Sequence, residues 1–166
     1  MAENHTIRIT AKALIIHDGK VLLNHGHWYH GDAYDLPGGG QHKFETMEEA
    51  LVREVLEETG YTVRPIRLIA VKEEIFTDPY VREKWAEYSH RLNHVFLAEM
   101  IDVPRKEVTE VDRGTEEFLW LPLEKLTEIK DQLFPRGLVD ALPKILNEKT
   151  CVVLPTHYLD DRLEGM

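Results

Sequence analysis

The sequence predicts a mixed α/β domain, and three features carry that prediction. Residues 7–16 are rich in β-branched and apolar side chains, as is typical of a β-strand. Residues 46–60 combine helix end signals with the apolar spacing of an amphipathic helix. Further strand-like and helix-like runs follow, with no internal repeat or low-complexity linker between them. Strands and helices distributed in this way along one chain indicate layered α/β packing.

The first strand is expected to belong to a β-hairpin. Asp18 and Gly19 separate residues 7–16 from a second apolar run at 21–23, and a two-residue Asp-Gly turn is a strong hairpin signal. Residues 24–35 are polar, aromatic and His-rich, which predicts a loop or the end of a strand. The three glycines at 38–40 predict a turn or a close-approach loop, because glycine weakens both helices and strands.

A helix is expected to begin after Thr46. Thr46 and Glu49 have the spacing of a capping box, in which each side chain accepts a hydrogen bond from the other residue's backbone N–H. Apolar residues recur every four positions from Met47 onward and form a stripe that can be buried. Gly60 is well placed to end the helix in a left-handed conformation.

The remaining elements follow from shorter signals. Three apolar runs are predicted strands: 68–71, 92–97 and 118–121. A long, partly helical connection is expected to begin near Asp78. Two later segments carry helical signals: 123–134 and 138–146. A last apolar run at 152–154 is expected to pack back on the core.

Composition limits the classes of function. The 166 residues include 20 Lys+Arg and 30 Asp+Glu, for a formal net charge of −10. This length predicts one domain over 1–166, with a core at about 7–147 and a tail at 148–166. The negative charge argues against nucleic acid as the main partner, although a bound divalent cation can reverse the local field.

The chain has no apolar run near the roughly 20 residues that cross a bilayer, so we expect no membrane partner. A single cysteine, Cys151, excludes an internal disulfide framework and favours a cytoplasmic location. Because Cys151 precedes two valines, we interpret it as a small buried hydrophobe.

The acidic charge is concentrated in two segments. Residues 45–58 carry −5 and residues 102–117 carry −3. Within the predicted helix, Glu54, Glu57 and Glu58 share an arc of about 100°. One interpretation is a solvated acidic face. The other is a site for Mg²⁺, with Mn²⁺ as a substitute, since these cations prefer carboxylate oxygens.

The glycines at 38–40 add to the second interpretation. Backbone groups of a glycine loop can approach a ligand closely, and such a loop beside metal-binding carboxylates suits a polyphosphate. Taken alone, the three glycines are more typical of a simple turn.

The spacing of the whole segment resembles the signature of the Nudix hydrolase family. The pattern in this chain is Gly39-x5-Glu45-x7-Arg53-Glu54-Val55-x-Glu57-Glu58-x-Gly60-Tyr61. The departure is Tyr61, where the family usually has an aliphatic residue.

This resemblance implies an α/β/α sandwich with a mixed sheet and a loop–helix–loop catalytic motif. It also implies Mg²⁺-dependent hydrolysis of a diphosphate linkage in a nucleoside triphosphate or nucleoside diphosphate derivative. By position, the implied metal ligands are Glu54, Glu57, Glu58 and the carbonyl of Gly38. Arg53 and Glu45 would pair to orient the catalytic glutamates, and the family often forms homodimers.

The second acidic segment supplies candidates for further roles. The family takes its general base from a box glutamate or from an acid in a later loop, and here Glu117 is the preferred base and Glu116 a further metal ligand. The alternative for this segment is a solvated loop. Trp28 and Tyr34 are candidates to stack on a base, and the backbone at Gly39 and Gly40 to contact substrate.

Two other classes of function compete with the hydrolase. A catalytically idle Nudix-like domain would bind a nucleotide metabolite as a sensor, but intact Glu54, Glu57 and Glu58 argue against it. A purely acidic interaction protein leaves the box spacing unexplained. The substrate, the number of metal ions and the role of the histidines at 25, 27 and 30 stay open.

Overall fold

The computed structural model describes residues 6–28, 31–110 and 115–159, with only the backbone described at Trp28 and Glu116. The strands in these ranges are β1 Arg8–His17, β2 Lys20–Trp28, β3 Gly31–Asp35, β4 Gly38–Gly40, β5 Val63–Phe76, β6 His90–Met100, β7 Thr115–Pro122, β8 Leu133–Phe134, β9 Val152–Val153 and β10 His157–Leu159. The α-helices are α1 Met47–Thr59, α2 Pro79–Lys84 and α3 Leu138–Glu148, and 3₁₀ turns span Ala86–Tyr88 and Leu123–Glu128.

The strands form a mixed sheet centred on β1. Along the main path the order is β10-β5-β6-β1-β2-β3-β8, while β4 pairs with β1, β7 with β2 and β9 with β5. β1 runs parallel to β6 and antiparallel to β2 and β4. As expected, the hairpin turn is Asp18 and Gly19, both at positive φ, and Ile16 pairs with Val21.

Helices cover both faces of the sheet, which confirms the α/β/α sandwich. Consecutive residues of β1 point to opposite faces. Ala13 therefore joins the cluster under α1 with Leu51 and Val55, whereas Leu14 joins the cluster under α3 with Leu142. α1 and α3 match the helices predicted at 46–60 and 138–146, and the predicted strands at 68–71 and 92–97 are the centres of β5 and β6.

Three predictions about local structure are wrong in whole or in part. Residues 24–28 are the end of β2, as one of the two alternatives predicted, but residues 31–35 form a further strand, β3, because pairing between β2 and β3 satisfies the backbone of a polar sequence. The glycines at 38–40 form β4, since β1 supplies their partners. Residues 123–134 form a 3₁₀ turn and β8 instead of a helix, because Leu133 and Phe134 pair with the edge of β3.

The C-terminal run packs back on the core as expected. Leu154 is buried among the residues under α3, and β9 and β10 both pair with β5. The expectation of a buried Cys151 is wrong, because it lies just before β9 at the margin of the sheet and is exposed. Within the described ranges, no helix has the length and apolar character needed to span a membrane.

Candidate active site

Helix α1 is fixed at both ends by the predicted signals. Thr46 Oγ1 accepts from the backbone N–H of Glu49 at 3.1 Å, and Glu49 Oε2 accepts from the N–H of Thr46 at 2.7 Å. Gly60 ends the helix at φ 73°, and its N–H donates to Leu56. Because one face of α1 is buried against the sheet, the direction of the remaining side chains is determined as well.

Arg53 is the centre of a charged network on that helix. Its Nε and Nη2 donate to the two oxygens of Glu45 at 2.7 and 3.0 Å. Its Nη1 donates to Glu54 at 2.8 Å and to Glu57 at 3.2 Å, and Nη2 also reaches the carbonyl of Gly40 at 2.9 Å. One guanidinium therefore positions three carboxylates and the end of β4, as the implied pairing of Arg53 with Glu45 predicts.

The network also shifts the protonation of its members. The hydrogen bonds from Arg53 lower the pKa of Glu45 to about 2, with the backbone N–H of His42 adding to the effect. The same bond to Glu45 raises the pKa of Arg53. The pair therefore stays charged over the whole pH range in which proteins normally work.

The glycine strand lies against the glutamates. A Cβ atom on Gly39 would lie 2.5 to 2.8 Å from the carboxylate atoms of Glu54, so a larger residue here would displace that carboxylate from its position. Glu58 is 3% exposed, and its Oε2 accepts from the N–H of Gly38 at 2.9 Å. Residues 38–40, predicted to be a turn or a close-approach loop, therefore do approach the glutamates of α1 closely, but as the strand β4.

The donor set of this site fits a hard divalent cation. Arg53 occupies one oxygen of Glu54 and one of Glu57, and the second oxygen of each makes no hydrogen bond to any described residue. The carboxylate of Glu58 and the cradle at Gly39 complete a surface of oxygen donors. Among the described residues, however, no three acidic or histidine side chains already converge on one point, so binding has to draw the glutamates together.

Lys12 is a component that the sequence interpretation missed. Its Nζ donates to Asp35 at 2.8 Å, to the carbonyl of Leu36 at 3.3 Å and to the carbonyl of Gly38 at 3.0 Å. The carbonyl oxygen of Gly38, implied as a metal ligand, therefore accepts a hydrogen bond from the Lys12 ammonium group and keeps one lone pair for a cation. The alternation of Arg8, Thr10 and Lys12 in β1 is the signal that could have indicated this polar face.

Beyond Lys12, the same face of the sheet carries a polar pocket. It is lined by Lys12, Asp35, Glu74, Arg91, Asn93, Phe134 and Pro135. Glu74 is 1% exposed; its Oε2 accepts from Arg91 at 2.7 Å and from Asn93 at 3.0 Å. Glu74 Oε1 and Arg91 Nε are buried and have no hydrogen-bond partner in the part of the chain that the structure describes. An acceptor and a donor are thus left over in one pocket, which is unusual for buried polar groups.

Glu117 lies in a different group of contacts. Its Oε1 is 3.4 Å from His25 Nδ1, and His25 Nε2 is 3.2 Å from Asp32. The ring of Tyr34 stacks on His25 at 4.8 Å instead of lying open to a ligand. None of the contacts described for Glu117 or Tyr34 involves the glutamates of α1, and both roles stay predictions.

The second acidic segment nevertheless reaches α1. The N–H of Lys106 donates to Gly60, and the N–H groups of Thr109 and Glu110 donate to the backbone carbonyl of Glu57 at 2.9 and 3.1 Å. Glu110 is therefore a further candidate acid from this segment, beside the preferred Glu116 and Glu117.

The side chains of Trp28 and Glu116 and all of His30 lie outside the described residues, so their expected roles stay predictions.

Comparisons with known proteins agree with this geometry. The family model described as "NUDIX domain" matches residues 6–142. An RNA pyrophosphohydrolase from Xylella fastidiosa is 27% identical over 141 residues, covering 75% of this chain and 70% of that protein. A NUDIX hydrolase from Nitrosomonas europaea superimposes with a TM-score of 0.65 at 19% identity, covering 96% of this chain and 100% of that one.

A structure described as a UDP-X diphosphatase superimposes with a TM-score of 0.64 at 19% identity. That match covers 90% of this chain and 68% of the other. Since the family match spans most of the chain and includes the whole Arg53 network, the protein belongs to the Nudix family and is a Nudix hydrolase.

Proposed function

We propose that this hydrolase uses a divalent cation, Mg²⁺ or alternatively Mn²⁺, to cleave a diphosphate linkage in a nucleoside triphosphate or nucleoside diphosphate derivative. The observation that carries the proposal is that Arg53 binds one oxygen of Glu54 and one of Glu57 and leaves the other oxygen of each without a hydrogen bond to a described residue. Carboxylate oxygens presented side by side in this way are suited to a hard cation that also binds phosphate.

In this proposal Glu54, Glu57 and Glu58 hold the cation, which would neutralise phosphate charge and activate water when bound. Arg53 keeps Glu54 and Glu57 in place through its hydrogen bonds. Water adds to one phosphorus atom, and the bridging oxygen leaves with the electron pair of the broken bond. The proton from water goes to a carboxylate base.

Glu57 is the most accessible of the three glutamates, with 30% of its side chain exposed against 13% for Glu54. We therefore assign it first to the role of base. Glu117, the residue that the sequence favoured, and Glu110, whose backbone contacts Glu57, are the alternatives.

The polar pocket has a volume of about 20 Å³, which holds a water molecule but not a nucleobase. We therefore assign no part of the substrate to it.

Relatives widen the range of substrates to be tested. Some are named RNA pyrophosphohydrolases and one structural neighbour a UDP-X diphosphatase. RNA with a 5′-triphosphate is therefore included among the substrates to be tested. The expectation that nucleic acid is not a partner no longer holds. The cytoplasmic location and the homodimer stay predictions.

The test is release of phosphate, pyrophosphate or nucleoside monophosphate from a panel incubated with Mg²⁺ or Mn²⁺. The panel contains nucleoside triphosphates, ADP-ribose, UDP-sugars, dinucleoside polyphosphates and triphosphorylated RNA. We expect cation-dependent turnover of at least one of them. Tight binding of a nucleotide without turnover would instead support the idle sensor domain.

A further inference from the structure

Residues 105–110 of the second acidic segment pack against the C-terminal end of α1, and we call them the docking loop. The last carbonyl groups of an α-helix have no partners within the helix. Here the N–H groups of Thr109 and Glu110 donate to the carbonyl of Glu57 at 2.9 and 3.1 Å. The docking loop therefore holds the helical turn that carries Glu57, one of the glutamates of the proposed cation site.

The docking loop approaches the end of the helix most closely at Gly60. The N–H of Lys106 donates to the carbonyl of Gly60 at 2.8 Å. A Cβ atom on Gly60 would lie 2.1 Å from the carbonyl oxygen of Lys106 and 3.2 Å from Cγ of Arg105. Because a side chain at this position would push the loop away, the glycine that ends α1 also permits the docking.

Electrostatic repulsion opposes this docking. Residues 45–58 carry a net charge of −5 and residues 102–117 carry −3. The C-terminal end of a helix adds a partial negative charge, and α1 has no basic residue in its last turn to offset it. The two acidic segments therefore need a specific attractive contact to stay together.

Arg105 provides that contact. Its Nε donates at 2.8 Å to the carbonyl of Thr59, the last residue of α1. The centre of its guanidinium lies 4.8 Å from the ring centre of Tyr61, which is within the range of a cation–π interaction. One cation from the docking loop thus offsets the negative end of the helix and binds the face of an aromatic ring.

Tyr61 contacts both sides of the acidic segment. Arg105 reaches the ring from the docking loop, and Trp120 reaches it from β7, with ring centres 5.9 Å apart at an angle of 66°. An aliphatic residue, as the family usually has here, could also pack in the apolar cluster under α1 that Tyr61 adjoins. It would offer no aromatic face to a cation, so the departure from the family signature matches the presence of Arg105.

We propose that Tyr61 and Arg105 are positioning residues, which dock the acidic segment on α1 and thereby keep Glu57 in place for catalysis. The inference rests on the proposed function, because that function gives Glu57 its catalytic role. Neither residue contacts the substrate in this proposal. The same docking brings Glu110, the alternative base, to the backbone of Glu57.

Amide hydrogen exchange tests the docking without cation, substrate or turnover. NMR measures exchange at the N–H groups of Thr109 and Glu110 in the wild type, Tyr61→Leu and Arg105→Met. We expect exchange about tenfold faster in each variant, because the docking loop opens more often without the cation–π contact. Tyr61→Phe, the conservative variant, keeps the aromatic face and should restore the protection.

Lys106→Gln is the matched control. It removes a positive charge from the neighbouring position of the docking loop, where the side chain is exposed. Exchange at Thr109 and Glu110 should stay within about twofold of the wild type, since an isolated exposed charge contributes little.

Kinetics test whether the docking serves catalysis. With the best substrate of the panel and Mg²⁺, we expect Tyr61→Leu and Arg105→Met each to lower kcat about tenfold while KM changes less than about twofold. The double variant should lose no more than either single variant, because both substitutions remove the same contact. Residues that only stabilised the fold would leave kcat of the folded protein unchanged.

Each outcome decides between the docking and its alternatives. Unchanged exchange in Tyr61→Leu and Arg105→Met would overturn the proposal, and so would faster exchange with an unchanged kcat. An equal effect of Lys106→Gln would overturn it as well, because net charge alone would then hold the loop. Faster exchange in variants of a protein that hydrolyses no member of the panel would contradict the proposed function and still support docking by Tyr61 and Arg105.

Discussion

The Arg53 network and the polar pocket are both charged regions, but they are built in different ways. The residues of the network come from one stretch of chain, 40–57, and each charged group has a partner there. The pocket draws Lys12, Asp35, Glu74 and Arg91 from four different strands and leaves two buried atoms without partners among the described residues. The comparison indicates that the network holds catalytic groups in fixed positions, whereas the pocket, at about 20 Å³, has room for a water molecule to supply the missing hydrogen bonds.

The largest effect is expected from a change in the network that preserves its shape. Glu57→Gln removes the charge of the most accessible glutamate but keeps its size. We expect a loss of kcat of about 10² to 10⁴-fold, as is usual when a general base or a charged catalytic ligand is neutralised. Steady-state assays with Mg²⁺ provide the measurement.

Glu48→Gln is the control, because Glu48 is an exposed glutamate in the first turn of the same helix. It should retain turnover close to that of the wild type. Normal activity of Glu57→Gln would contradict the catalytic role of the network. The functional difference between the network and the pocket would then be lost.

A substitution in the polar pocket is expected to lower the free energy of unfolding. Lys12→Met deletes the cation of the buried pair with Asp35, whose side chains are 12% and 15% exposed. Breaking a buried pair by removing one partner costs about 3–5 kcal/mol of unfolding free energy, measured by urea denaturation. Arg64→Met, which breaks an exposed pair with Glu99, should cost under about 1 kcal/mol.

The cost of Lys12→Met should depend on pH. Burial already raises the pKa of Asp35 above its ordinary value, and Lys12 opposes that shift. Without Lys12 the folded pKa rises further above the unfolded one, so stability is greatest at low pH and is lost as pH rises through the folded value. A deficit at pH 7 no larger than at pH 4 would show that Asp35 does not depend on Lys12.

The smallest effect is expected in the stability of the folded protein at low pH, through the Arg53 network. Because the pKa of Glu45 falls from 4.5 to about 2 in the folded state, its ionisation stabilises the fold above pH 4.5 and this contribution disappears as pH falls toward 2. The difference in Tm between the wild type and Glu45→Gln should therefore shrink on acidification. Glu107→Gln, at an exposed position, provides the comparison, and a difference that grows toward pH 2 would contradict this assignment.

Local sequence signals predicted an element correctly where the hydrogen bonds that define it lie within the same short segment. Thr46, Glu49 and Gly60 define α1 through bonds within four residues of each end, and Asp18 with Gly19 defines the first hairpin. The predictions failed where a distant strand decided the outcome. Gly38–Gly40 have little tendency to form a strand, yet β1 provides their partners, and residues 133 and 134 leave the predicted helix because β3 has a free edge.

The sequence by itself determined the family and the charged groups of α1. Helix geometry converts spacing along the chain directly into position in space, so Glu54, Glu57 and Glu58 had to lie together. Only the tertiary structure decided that Gly39 makes room for Glu54, that Lys12 holds Gly38 and that Glu74 meets Arg91. Those contacts join residues far apart in the chain, and they depend on a strand order and register that no local pattern specifies.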